Sequence, residues 1–222
     1  FSLNSQKQNN VLFIGSLIGF ASKNYKNVYI LGSGVRKEDD KINENNIAKI
    51  YSVRGPLTKK HLEKYNYQVN DNYGDPALLL PRFYNPKNIT LCENKIGVVA
   101  HITNFKKYSK LPSNYILINP TWYWGKVIDY ICSCDLILSS SLHGLIIADA
   151  YNKPNIWLDE YALEEGHFKF KDYFLSQNRK CESINNIKDY KNIEPYKEGN
   201  IIDLNKIEKA FEKMCLDLKL IK

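Results

Sequence analysis

The chain has 222 residues, 44% of them hydrophobic and 25% charged, so it carries enough apolar material for a packed core and is not a disordered chain. Lys and Arg outnumber Asp and Glu by 31 to 24, and the net charge of +7 favours anionic partners. The excess is lysine: Arg36, Arg54, Arg82 and Arg179 are the only arginines, and no Arg-rich stripe or aromatic RNA-binding motif points to nucleic acid. Five cysteines without a CxxC pair argue against a disulfide framework or a zinc site and for a reducing compartment. The longest apolar stretch, Val11 to Ala21, is shorter than the ~20 residues a membrane span needs. The expected location is therefore the cytoplasm, with peripheral contact at the inner face of the cell membrane.

Short apolar runs alternate with helical patterns, the signature of βα units around parallel sheets. Val11–Gly15, Val28–Leu31 and Ile50–Val53 read as strands, the second running into Gly32-Ser33-Gly34 and the third into Arg54-Gly55-Pro56. Pro56 suits the first position of a helix through Tyr65, where its missing N–H would be unpaired anyway. Residues 81–94, with Pro81, Pro86 and several asparagines, read as a linker. A second half restarts with strand Lys95–Ala100, ending at His101, then strand Tyr115–Ile118 and a helix through Trp124–Cys132. Strand Asp135–Leu138 leads into Ser139-Ser140-Ser141 and a helix to about Tyr151, followed by strand Asn155–Leu158 and a closing amphipathic helix over Asp203–Leu218. The expected division is residues 1–90 and 95–222.

In open α/β sheets ligands bind beyond the carboxyl ends of the strands, so the residues following each strand carry the search for a site. Ser139-Ser140-Ser141-Leu142-His143-Gly144 puts serines and a histidine at a helix start, where free N–H groups and the dipole favour an anion. A plain serine N-cap beside a structural histidine fits the same residues. Gly32-Ser33-Gly34 is either a phosphate-cradling turn or a simple tight turn. Arg54 is a planar, bidentate cation suited to carboxylate or phosphate, or one half of a salt bridge. Asp75, before Pro76, is either a functional carboxylate or an Asx turn.

Five blocks in order resemble the polysaccharide pyruvyl transferase family: Gly32-Ser33-Gly34, Ser52–Thr58, Gly74–Leu79, Ser139–Tyr151 and Phe168–Ser176. The resemblance implies an α/β chain of two Rossmann-like lobes with mainly parallel sheets, glycosyltransferase-B-like, its N-terminal lobe incomplete because the family's usual opening element is missing. It implies transfer of a pyruvyl group from phosphoenolpyruvate to a pair of sugar hydroxyls, forming a ketal on a bacterial surface polysaccharide or its lipid-linked precursor. Phosphoenolpyruvate is then a substrate, and neither a cofactor nor a metal is expected.

That chemistry needs cationic clamps, a proton donor working near neutrality and a base for the hydroxyls. His143 and Asp75 are the catalytic candidates. Arg54, Ser140, Ser141, Gly32, Ser33, Gly34 and His101 are candidates for the donor, although Ala100 stands before His101 where the family commonly has proline. Lys169, Phe170 and Asp172 are candidates for the acceptor, if Phe168–Ser176 lines the mouth of a cleft rather than forming a surface helix. A nucleotide-sugar glycosyltransferase on the same scaffold, a non-catalytic scaffold in capsule assembly, and a lysine-driven polyanion binder are the competing readings.

Overall fold

A computed structural model describes residues 9–87, 90–160 and 167–221. In chain order its elements are β1 (Asn10–Leu12), α1 (Ile18–Asn24), β2 (Val28–Leu31), β3 (Ile47–Ser52), α2 (Pro56–Glu63), β4 (Ile96–Val99), β5 (Tyr115–Leu117) and α3 (Trp124–Ser133). There follow β6 (Leu136–Ser139), α4 (Leu142–Ala150), β7 (Asn155–Leu158), α5 (His167–Ser176), β8 (Ser183–Ile184) and α6 (Leu204–Asp217). The proline-fenced run after Asp75 is a 3-10 turn, Pro76–Arg82. Every pairing between these strands is parallel, which makes this an α/β chain with two parallel sheets.

The chain divides into two compact units, and not as a contiguous 1–90 and 95–222. The described part of the first unit is 9–76, 167–180 and 202–221; the second is 77–87, 90–160 and 181–201. Helices α5 and α6 therefore return to the first unit, because the apolar faces they bury against belong to its strands and helices.

In the first unit the sheet order is β1-β2-β3, and a parallel bridge between Val53 and Tyr73 continues it past β3. Period-two alternation sorts the side chains of β2. Val28 and Ile30 face a core with Ile18, Ala21 and Leu62, while Leu31 faces Ala210, Met214 and Cys215 of α6. Asp203 starts α6 by accepting the Asn205 N–H at 3.0 Å.

In the second unit the order is β5-β4-β6-β7-β8. The chain runs from β4 outward to β5, then returns to the other side of β4 with β6. That reversal makes the β4–β6 boundary a topological switch point, where a crevice opens beyond the strand ends. One face of this sheet buries Val98, Leu138, Ile156 and Leu158, the other Val99, Ile118, Ile131, Ile137 and Ala148. All four residues of β4, β6 and β7 are buried, as parallel strands covered on both faces must be. No helix among the described residues is long and apolar enough to cross a membrane.

Candidate active site

The switch point of the second unit is built by Ser139, Ser140 and Ser141, each in a different way. Ser139 ends β6 fully buried, its Oγ 3.0 Å from Val99 O and 2.8 Å from Ser141 O, and it accepts the Ser141 N–H at 3.1 Å. Ser140, also fully buried, accepts the His101 N–H on Oγ at 2.9 Å while its own N–H donates to Val99 O at 3.1 Å. It therefore bolts the end of β4 to the end of β6. Ser141 is the N-cap of α4, in extended conformation, and makes no side-chain capping bond. Gly144 fits here because a Cβ would lie 2.2 Å from Ser139 Oγ and 2.9 Å from Val99 Cγ1. The close approach it permits is of helix to strand.

This bolting brings two histidines to one edge. His143, half-buried, is in the first turn of α4, and His101, half-buried, follows β4, whose neighbour in the sheet is β6. Thr103 orients the His101 ring, with Oγ1 2.8 Å and N 3.4 Å from Nδ1. Histidine exchanges protons near neutral pH, and a helix start attracts anions, so the edge can hold a phosphate or carboxylate and move a proton beside it.

The motifs of the first unit are arranged differently. Arg54 has no exposed surface, and its guanidinium ties three segments together. Nε donates to Asp172 Oδ2 at 3.0 Å, one terminal nitrogen to Ser16 Oγ at 2.6 Å and the other to Val35 O at 2.8 Å. Asp172, on α5 and also fully buried, accepts the Thr58 N–H at 2.9 Å and the Thr58 hydroxyl at 2.6 Å, placing its charge on the first turn of α2. Gly34 lies under the guanidinium, where a Cβ would sit 2.3 Å from Cζ. Ser33, buried, donates to Gly15 O at 2.8 Å, and Gly32, at φ +77°, packs on Pro76. Gly32-Ser33-Gly34 thus meets Arg54 and the Gly74–Pro76 turn directly, and Asp75 is fully buried in that turn.

Helix α5 corrects the expectation of a sugar-facing segment. Phe170, Asp172, Tyr173 and Phe174 are sealed, with rings 6.3 Å (Phe170–Phe174) and 6.0 Å (Tyr173–Phe174) apart. The Phe/Lys/Asp/Tyr alternation is a buried face, and Asp172 is the counter-ion of Arg54 rather than a group in a separate acceptor pocket. Lys169 is partly buried; desolvation, then repulsion from Arg54 and Arg36, pulls its pKa down to about 8.

Residues 3–160 match the model of the family described as polysaccharide pyruvyl transferase. The chain belongs to this family. A similar protein is the uncharacterized protein L143 of Acanthamoeba polyphaga mimivirus, 29% identical over 171 residues, which cover 72% of this chain and 58% of that protein. The chain thus spans less than two thirds of that relative, and the family match ends before α5.

Two groups of this pyruvyl transferase family member at the edge of the second unit escaped the sequence reading. Glu160, two residues beyond β7, has a nearly sealed side chain whose Oε1 accepts the Tyr108 hydroxyl at 2.5 Å and Lys107 Nζ at 3.3 Å. Its Oε2 is buried and has no hydrogen-bond partner among the described residues. Burial, then the Glu160 carboxylate, raises the Tyr108 pKa, keeping that hydroxyl a donor. The available signal was position: an acid just past a strand end. The second group is Trp122-Tyr123-Trp124, past the end of β5, of which only Trp124 entered the sequence reading, as the start of a helix.

Proposed function

We propose that this chain transfers a pyruvyl group from phosphoenolpyruvate to two hydroxyls of a polysaccharide or of its lipid-linked precursor, forming a cyclic ketal. The observation that carries the reading is the Ser-Leu-His-Gly segment at the β4–β6 switch point, in a chain of the pyruvyl transferase family. Protonation of the methylene carbon of phosphoenolpyruvate makes the adjacent carbon oxocarbenium-like. One sugar hydroxyl adds there, the C–O bond to phosphate breaks, and the second hydroxyl closes the ketal. Of the two hydroxyl protons, one balances the new methyl group and the other leaves on phosphate.

In this scheme His143 delivers the proton or holds the phosphate, and the start of α4 with Ser141 receives the anionic end of the donor. His101 lies just past the end of the neighbouring strand β4, and Ser140 accepts its backbone N–H. Glu160 is a better placed base than Asp75, because it sits past a strand end of the same sheet as His101 and His143, whereas Asp75 belongs to the first unit. The +7 charge and the family support a cytoplasmic enzyme at the inner face of a bacterial membrane, with units of the glycosyltransferase-B-like, Rossmann type.

The test is incubation with phosphoenolpyruvate and lipid-linked or p-nitrophenyl glycosides, scoring phosphate release together with a pyruvyl mass gain on the glycoside. Turnover of a nucleotide sugar in place of phosphoenolpyruvate would replace the reading with a glycosyltransferase.

A further inference from the structure

We infer that Tyr123 and Trp124 form a stacking shelf for sugar rings of the acceptor, beside the strand ends that carry His101 and His143. The inference rests on the acceptor being a glycan, as proposed above.

Trp is rarer here than Phe or Tyr, at three positions against nine and sixteen, and two of the three stand together past β5. Trp157 is 2% exposed, a core residue, whereas Trp124 is 50% and Tyr123 68% exposed. Large aromatic faces left in water on a rigid support mark binding surfaces more often than packing accidents. The support here is built. Trp124 meets the edge of Tyr84 at 4.9 Å and 68°, and Tyr123 at 5.2 Å. Tyr84 is itself tied by its hydroxyl to Asp129 Oδ1 at 3.0 Å, and the same oxygen accepts the Lys87 N–H at 2.9 Å. Trp122 is excluded as a shelf, because it packs on Tyr130 at 5.0 Å and Lys126 Nζ covers its ring at 4.1 Å.

Position and rim argue for a sugar. Strand β5 pairs with β4, so the loop after β5 starts one strand spacing, ~4.8 Å, from the end that bears His101. Asn119 Oδ1 accepts the N–H and hydroxyl of Thr121 at 2.9 and 2.8 Å, which orders the loop between the strand and the shelf. Thr121 and Lys126, two residues from the pair in sequence on either side, are exposed. A pyranose presents an apolar C–H face edged by hydroxyls, and it matches a pair of aromatic faces with such a polar rim better than a lipid chain does.

Calorimetric titration with neutral β-linked hexasaccharides of glucose or galactose tests binding, and steady-state assay tests its use. Trp124→Ala is expected to weaken hexasaccharide binding about tenfold or more and to raise the acceptor KM as much, with kcat and the phosphoenolpyruvate KM within about twofold. Trp124→Phe, which keeps a ring, is expected to retain affinity within about threefold. Hexasaccharide binding that depends on Trp124 in a chain that moves no pyruvyl group would sink the proposed reaction and leave the shelf standing. Pyruvyl transfer with an unchanged acceptor KM in Trp124→Ala would sink the shelf alone. A wild-type dimer that Trp124→Ala dissolves in sedimentation would assign the rings to a subunit contact and also overturn the inference.

Discussion

Each unit carries glycine-punctuated motifs over the carboxyl ends of a parallel sheet, and each uses them differently. In the first unit the loops after β1, β2 and β3 converge on Arg54, which is fully enclosed with Asp172 from α5. In the second unit the loops after β4 and β6 are bolted by Ser139 and Ser140, but His143 at the edge is only partly buried, with its Nε2 enclosed. Similar motif chemistry thus closes one strand edge and leaves the other with titratable groups at its rim. A charged side chain named in a motif is therefore not by itself a ligand contact.

If the first unit's motifs are structural, the largest effect of mutation there falls on stability. Asp172→Ala leaves Arg54 enclosed without its counter-ion, which costs about 3–5 kcal/mol, and urea unfolding is expected to shift by that amount. Arg54→Lys keeps the charge but loses the fork that reaches Asp172, Ser16 and Val35, and is expected to unfold earlier as well. An Arg54→Lys protein with wild-type stability and no turnover would return Arg54 to the donor site and break the comparison.

In the second unit the effect is expected on rate. His143→Ala should lower turnover ~10²–10⁴-fold with an unchanged urea midpoint. His143→Gln separates its roles: proton delivery predicts that both variants are inactive, phosphate holding that Gln restores part of the rate. A folded His143→Ala enzyme with wild-type turnover would remove this edge as the active site. Glu160→Gln keeps an acceptor for Tyr108 but loses the base, and a loss of ~10²-fold is expected in the same assay.

The smallest expected effect sharpens the picture of the first unit. The pKa of Lys169 falls from 10.5 to about 8 on folding, so the unfolded chain binds more protons between those values. Stability therefore rises with pH across that window, and the burden of the charged lysine is complete below its lower end. Lys169→Met is expected to raise the urea midpoint modestly at pH 7 and to lose that advantage by pH 10, partial exposure keeping the effect small.

Much of this protein is determined locally. Strand and helix positions follow from short apolar runs and 3.6-residue spacing, because burial of those faces is what forms the elements. The strand-end rule placed His101 and His143 in the search set, and the family blocks place the chain in its family. Tertiary structure decided the rest. Residues 54 and 172 are paired across 118 positions, and no local pattern encodes a counter-ion that far away. The amphipathic alternation of Phe168–Ser176 states that one face of α5 is buried, but only packing sets which face and against what. Exposure of Tyr123 and Trp124 likewise depends on Tyr84 arriving from another segment, held by Asp129 of α3, to prop the rings rather than cover them. Local sequence dictates which elements form, whereas the partner of each polar or aromatic group is set by which elements the sheet order brings together.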